Sequence, residues 1–87
     1  MTTDAASLWA LMCLRVESEP DPSILTRLLG YFQNLNITPR RVVAEFSTHG
    51  HLYLQVEVGG LSEERMGLIT AKASQLPVVI DAHWHPL

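Results

Sequence analysis

The sequence is poor in the residues that would crosslink it or bind it to nucleic acid. It has one cysteine, Cys13, so an internal disulfide is excluded and a reducing, cytoplasmic setting is expected. Its six Lys and Arg residues are outnumbered by nine Asp and Glu, and only Arg40 and Arg41 are adjacent. Because nucleic-acid binding needs clustered cations that displace counterions from phosphates, this distribution argues against a nucleic-acid partner.

Catalytic and membrane-spanning patterns are missing as well. There is no nucleophile elbow or Walker loop, and Gly59-Gly60 lacks the spacing of a dinucleotide fingerprint. The apolar segment 8–14 has no basic flank like that of a signal peptide and is too short to span a bilayer. An RNA-binding sheet needs stacked aromatic residues among cations, whereas the outward aromatic candidates are only Trp9 and Tyr53. The acidic residues Glu45, Glu57 and Asp81 would oppose phosphate. We therefore expect a non-enzymatic protein without a cofactor, away from membranes.

What is present is the composition of a packed globule. Hydrophobic residues make up 47% of the 87 residues and charged residues 17%. A chain of this length forms one domain and buries only about 60–65% of its unfolded surface, so a partner surface would add stability. We expect a domain at residues 8–85, preceded by a disordered or extended N-terminus at residues 1–7.

Alternation of apolar and polar residues predicts four strands, at 8–17, 41–47, 51–58 and 78–84. His49-Gly50 provides a tight turn, so the second and third strands should form a hairpin. The inward residues are predicted to be Leu8, Ala10, Met12, Leu14 and Val16 in the first strand, Val42, Ala44 and Phe46 in the second, and Leu52, Leu54, Val56 and Val58 in the third.

Two segments with helical spacing separate these strands. Asp21 is placed to cap the first helix with Pro22 at its first position, and the helix should run from Ser23 to about Leu35. Its apolar stripe consists of Ile24, Leu25, Leu28, Leu29, Phe32 and Leu35. Ser62 should cap the second helix, which Pro77 ends. That helix has apolar residues at Met66, Ile69, Ala73 and Leu76.

The element order βαββαβ predicts an α+β, ferredoxin-like sandwich. With right-handed crossovers, its antiparallel sheet has the strand order 4-1-3-2 and both helices on one face. The open face is predicted to mix Trp9, Leu11, Cys13, Val43, Tyr53 and Val79 with Arg15, Glu17, Glu45, Gln55, Glu57, Asp81 and His83. This mixture suggests partial cover by another chain. The second strand is an exposed edge, so we expect a homodimer. Its predicted interface contains Arg41, Val43 and Glu45, with Tyr31 of the first helix.

The segment from Pro22 to Phe32, followed by Asn36-Ile37 and the second strand, resembles the ACT domain of acetolactate synthase small subunits. That family reads Pro-Gly-Val-Leu-Ser-Arg, then Gly-x-Phe, then Asn-Ile. The matching residues are Pro22, Leu25, Arg27, Gly30, Phe32, Asn36 and Ile37. Gln75-Leu76 followed by Val78 resembles a shortened form of a later family pattern, and the resemblance spans about residues 11–84.

The resemblance implies a non-catalytic regulatory subunit in branched-chain amino-acid biosynthesis. It would be a homodimer that joins a separate, thiamine-diphosphate-dependent catalytic large subunit. Larger members append a C-terminal domain for which 87 residues leave no room, so the chain looks most like the short, single-domain type. Two alternatives remain open: an amino-acid-sensing dimer that serves another enzyme or a transporter, and an interaction domain without a ligand.

The resemblance also implies a ligand site. In ligand-binding ACT domains, the loop between the first strand and first helix holds an amino acid against a second protomer. The candidate residues for a branched-chain amino-acid effector are thus Asp21, Pro22, Ser23, Ile24 and Leu25, with helix N–H groups receiving its carboxylate. The family's acidic or amide position is Pro20 here, and its glycine position is Ser23. These residues therefore form either an effector pocket or an ordinary capped helix start.

Two histidine pairs, His49-x-His51 and His83-x-His85, have the spacing that puts both members on one face of a strand. In the predicted topology the hairpin lies at the opposite end of the sheet from the end of the last strand. No Cys or carboxylate at suitable spacing completes either pair, so we expect no metal site.

Overall fold

The chain folds in the predicted order, βαββαβ. The computed structural model describes residues 10–87, so the predicted N-terminal segment 1–7, Leu8 and Trp9 lie outside the described residues. The strands are β1 (Leu11–Ser18), β2 (Arg41–Phe46), β3 (Leu52–Gly59) and β4 (Val79–Pro86), and the helices are α1 (Ile24–Gln33) and α2 (Glu63–Ser74).

The four strands form one antiparallel sheet in the order β2-β3-β1-β4. Read from the other edge, this order is 4-1-3-2, which confirms the predicted ferredoxin-like topology. β1 is central: Leu14 lies opposite Val56 of β3 on one side and Trp84 of β4 on the other. The sheet therefore has two edges, β2 and β4.

The core lies between one face of the sheet and both helices. It consists of Met12, Leu14, Val16, Ile24, Leu28, Phe32, Leu54, Val56, Val58, Leu61, Met66, Ile69 and Ala73. The buried strand residues follow the predicted alternation, and the buried helix residues follow the predicted stripes. The predicted inward faces of β1 and β3 and of both helices are thus confirmed within the described residues, except at Ala10, which precedes β1 and is exposed.

The end of α1 is fixed by backbone hydrogen bonds just beyond its last regular turn. The Ile37 N–H donates to the Phe32 carbonyl and the Asn36 N–H donates to the Gln33 carbonyl, both at 2.9 Å. Asn36 has a φ of 59°, a conformation that asparagine tolerates better than most residues. This pattern is a Schellman motif with Asn36 as its left-handed residue, so the last turn closes at Leu35, as predicted, two residues beyond the regular helix that ends at Gln33. It also gives a physical role to Asn36-Ile37.

The start of α2 is capped as predicted. The Ser62 hydroxyl accepts a hydrogen bond from the Arg65 N–H at 3.2 Å. Glu63 and Glu64 occupy the first turn and Lys72 the last, so the charges oppose the partial charges at both helix ends.

The predicted burial of Val42, Ala44 and Phe46 is wrong. These residues lie opposite Val56, Leu54 and Leu52, so they do point to the helix side of the sheet. However, Val42 is 40% exposed, Phe46 is 69% exposed and Ala44 is exposed as well. α2 packs on β4 and β1, near the edge of the sheet opposite to β2. The helix layer therefore leaves the helix side of β2 uncovered.

The predicted place of Val79 on the open face is also wrong. Asp81 lies opposite Glu17, so Ile80 would be expected opposite Ser18, but the pairing shifts there and Val79 takes that position. A bulge of this kind moves the side chains on one side of it to the other face of the sheet. Val79 therefore packs against the core.

The two phenylalanines of the sequence give a matched test of this layering. Phe32 is fully buried and Phe46 is 69% exposed. We expect Phe32→Ala to lower the free energy of unfolding by about 3–5 kcal/mol because it leaves a cavity. We expect Phe46→Ala to lower it by less than about 1 kcal/mol. Urea unfolding at submicromolar concentration measures both, and equal losses would contradict the structure.

Candidate functional site

The β1–α1 loop is held at both of its ends. The Glu19 N–H donates to the Val78 carbonyl at 2.8 Å, which ties the loop to the segment before β4. Further on, Asp21 Oδ1 accepts hydrogen bonds from the Ser23 N–H and the Ser23 hydroxyl, both at 2.7 Å. Ser23 is the residue before α1, and its own side chain caps nothing. The carboxylate of Asp21 therefore caps the turn that leads into α1. The prediction that Asp21 is the N-cap residue and Pro22 the first helical residue is wrong, because the N-cap is Ser23 and the helix begins at Ile24.

These hydrogen bonds lower the pKa of Asp21. The hydroxyl and N–H of Ser23 stabilise the ionised carboxylate, and the nearby Arg27 guanidinium adds to this, so the pKa of Asp21 lies below its ordinary value. Asp21 therefore carries a full negative charge at the start of α1 at neutral pH.

A surface cavity of about 280 Å³ opens beside this loop. Its lining consists of Asp21, Ser23, Ile24, Arg27, Leu76, Pro77 and Val78. It combines a carboxylate, a guanidinium and an apolar wall, which are groups that complement the ammonium, carboxylate and side chain of an aliphatic amino acid.

The free edge of β2 is the second candidate site. The Ser47 N–H donates to the His51 carbonyl at 2.8 Å, so Ser47 and His51 form a hydrogen-bonded pair. Since such pairs alternate along an antiparallel ladder, Val43 and Glu45 are bonded to β3. The backbone groups of Val42, Ala44 and Phe46 therefore face the open edge. Beside them is a groove of about 370 Å³, lined by Leu29, Gln33, Asn36, Ile37, Thr38, Pro39 and Val42.

Comparison with known proteins shows the family of this chain. A profile of the ACT-like domain family matches residues 5–87. The chain belongs to the ACT-like domain family. ACT domains are typically regulatory, amino-acid-binding modules and are not catalytic. No curated protein matches the sequence.

Solved structures share the fold of this ACT domain. It is similar to the C-terminal domain of the MgtC protein from Mycobacterium tuberculosis, with a TM-score of 0.79, 17% identity and coverage of 92% of this chain and 89% of that one. For the ACT domain of GTP pyrophosphokinase from Chlorobium tepidum, the TM-score is 0.69 at 12% identity, with 86% and 96% covered.

A homoserine dehydrogenase from Thiobacillus denitrificans also contains a similar domain. The TM-score is 0.74 at 15% identity, and the match covers 93% of this chain but only 18% of that one. Identities this low show the fold alone.

The structure brings together only part of the predicted ligand residues. Asp21, Ser23 and Ile24 line the cavity beside the loop. Pro22 is exposed outside its lining, and Leu25 packs against the core. The predicted ligand residues did not include the four other lining residues, Arg27, Leu76, Pro77 and Val78. Arg27, Leu76 and Val78 stood within the family resemblance, but only the fold shows that the α2–β4 turn lies beside the β1–α1 loop.

The predicted dimer-interface residues lie in two different places. Arg41, Val43 and Glu45 lie on the open face of β2, where Arg41 contacts Glu57 at 3.2 Å. Tyr31 lies between the two helices, in a groove that it shares with Lys72 of α2. The apolar residues beside the free edge, Val42 and Phe46, were not among the predicted interface residues.

The open face of the ACT domain holds pairs of charged and polar side chains. His51 Nδ1 lies 2.7 Å from Glu17 Oε2, and His83 Nδ1 lies 2.9 Å from Asp81 Oδ2. Nearby, the negative charge of Glu17 raises the pKa of Tyr53. Along the register, His51 and His85 lie toward opposite ends of β1. Within residues 10–87 no group of three metal-ligating side chains comes together. In the same range no helix is long and apolar enough to cross a membrane.

The capping carboxylate gives a pH-dependent prediction. Because the folded pKa of Asp21 is lowered, Asp21 contributes stability above pH 3.8, its ordinary pKa, and this stability is lost as the pH falls through the folded pKa. We expect Ser23→Ala to raise the pKa toward 3.8, since it removes the hydroxyl donor. NMR titration of the Asp21 carboxyl carbon measures this shift.

Ser74→Ala is the control for that titration. The Ser74 hydroxyl donates to the Ala71 carbonyl at 2.7 Å and touches no acid, so this variant should leave the pKa of Asp21 unchanged. A pKa of Asp21 at or above 3.8 in the unmodified chain would contradict the observed capping.

Proposed function

We propose that this chain is a dimeric regulatory ACT domain that acts as a small subunit of acetolactate synthase, a thiamine-diphosphate-dependent enzyme. The observation that carries the dimer is the open edge of β2 with uncovered apolar side chains beside it. Val42 and Phe46 are exposed on the helix side of this edge, and Val42 also lines the groove that contains Leu29 and Ile37. Exposed edges with apolar neighbours are surfaces that recruit another strand.

The dimer follows from the register of the edge. The outward backbone groups belong to Val42, Ala44 and Phe46. An antiparallel pair of β2 strands centred on Ala44, the middle residue, pairs all three in both copies. In this arrangement Val42 of one copy lies opposite Phe46 of the other. Both exposed side chains then pack in an interface that continues the helix-side layer, and two sheets become one sheet of eight strands.

The synthase partner is supported by the motif that runs through α1. Pro22, Leu25, Arg27, Gly30 and Phe32 match the small-subunit pattern, and the Asn-Ile pair that follows forms the observed Schellman motif. A regulatory subunit activates an enzyme when it binds the active conformation more tightly than the inactive one. This mechanism needs no chemistry from the ACT domain itself.

A second candidate function is an amino-acid sensor that serves another enzyme or a transporter. The cavity beside the β1–α1 loop favours it, because Asp21 and Arg27 supply opposite charges beside the apolar wall of Leu76 and Val78. An aliphatic amino acid placed there would direct its ammonium to Asp21 and its carboxylate to Arg27. This orientation differs from binding a carboxylate at the helix N-terminus, where Asp21 already accepts the Ser23 N–H.

The edge dimer is tested with Ala44→Pro. Proline removes an N–H that faces the open edge and not the ladder with β3, so the fold should persist while pairing between copies is lost. Sedimentation velocity at micromolar concentration should show half the mass of the matched control Ala44→Ser, which keeps the N–H. Equal masses of two folded variants would rule out the edge contact.

Measurements of amino-acid binding and of synthase turnover distinguish the two candidate functions. We expect the chain to raise the turnover of purified acetolactate synthase catalytic subunit about tenfold, within the usual range of allosteric coupling. A sensor for another protein would leave that turnover unchanged and bind valine, leucine or isoleucine in calorimetry. In that case Arg27→Gln should weaken binding about tenfold, while Arg40→Gln, outside the cavity, should not. If the chain neither activates the synthase nor binds an amino acid, both functions are refuted.

A further inference from the structure

A groove of about 350 Å³ runs between α1 and α2 on the outer side of the helix layer. Its apolar lining residues are Tyr31, Leu35, Leu68 and Ile69. The Leu68 side chain is 61% exposed, which is a large exposed fraction for a leucine beside an apolar groove. An exposed hydrophobic side chain and an apolar groove therefore lie side by side on one surface.

The residues on either side of Leu68 carry opposite charges. Glu64, Leu68 and Lys72 follow one another at four-residue intervals, so they form a single row along the exposed side of α2. Each interval advances about 6 Å along the helix axis. The row thus has a negative charge, a leucine and a positive charge at equal spacing, with Lys72 Nζ lying 6.0 Å from the centre of the Tyr31 ring.

We propose that this row is a self-association surface through which α2 packs antiparallel on α2 of a second copy. A two-fold axis at Leu68 brings Glu64 of each copy to the height of Lys72 of the other, so both ends of the contact pair opposite charges. Arg65 comes level with Ala71, which carries no charge. A parallel arrangement would place Glu64 against Glu64 and Lys72 against Lys72, so the charges select the antiparallel one.

The same two-fold axis buries the exposed Leu68 side chain in the contact. Helices pack about 8–10 Å apart, with the side chains of one lying in the grooves of the other. Leu68 of each copy then lies against Leu68 of the other, and together the two leucines cover the apolar groove that contains Tyr31 and Ile69 in each copy. The occupant of the groove is a second copy because hydrophobic shape and charge are complementary to the surface itself.

This surface is separate from the β2 edge on which the proposed function depends. α2 packs on β4 and β1, whereas β2 lies at the far edge of the sheet. Both contacts can therefore form at once, each through a two-fold axis of its own. Testing the helix contact in a chain that carries Ala44→Pro removes the edge contact and keeps the two proposals distinguishable.

The experiment exchanges charges within the row, in the Ala44→Pro chain, and measures mass by sedimentation velocity from micromolar to submillimolar concentration. Glu64→Lys places like charges at both ends of the contact, and so does Lys72→Glu, so each variant alone should raise the Kd at least tenfold. Mixed one to one, the two variants should associate with each other, because one carries two positive charges and the other two negative charges. The double variant Glu64→Lys, Lys72→Glu should associate with itself as the parent does.

Glu63→Lys is the matched control. Glu63 and Glu64 both lie in the first turn of α2, so either reversal perturbs the helix end to the same degree, but Glu63 lies outside the groove. It should leave association unchanged, and circular dichroism checks that every variant is folded. Leu68→Asp should abolish association. The proposal is overturned if the parent stays monomeric, if the mixture associates no better than its components, or if Leu68→Asp keeps the parent's mass.

Discussion

The double pairing of β1 is the constraint on which the rest of the structure depends. Its backbone bonds to β3 on one side and to β4 on the other, and its inward residues Met12, Leu14 and Val16 form the middle of the core. Both helices pack their apolar residues against this centre. Because β1 is paired on both sides, unpaired backbone groups occur only on the edge strands, β2 and β4.

That difference places the candidate sites. With α2 over β4 and β1, the helix side of β2 is left bare, and the β1–α1 loop meets the α2–β4 turn through the bond from Glu19 to Val78. The cavity beside the β1–α1 loop and the free edge of β2 thus both result from the way the helices pack on the sheet. Neither site needs a special residue, since the edge is made of backbone groups and the cavity of a capping acid beside a turn.

The sequence predicted the elements, the strand order and the residues that point inward, because alternation and helical spacing are local and each element keeps its own period. It did not predict how far the helix layer extends, so Val42 and Phe46 were expected to be buried. Nor did it predict the bulge that turns Val79 inward, since a one-residue shift leaves no mark on composition. Asp21 was foreseen as a cap, whereas the other side of its cavity comes from residues about fifty positions away, which only tertiary structure brings close.

Cys13 illustrates what this layering does to the less apolar face. It belongs to the side of the sheet without helices, yet only 1% of it is exposed, and burial raises the pKa of its thiol. A thiolate is the reactive form, so this sulfur stays inert while β1 keeps both partners. The chain consequently has a built-in reporter: the rate at which a thiol reagent modifies its single cysteine follows the opening of the central strand.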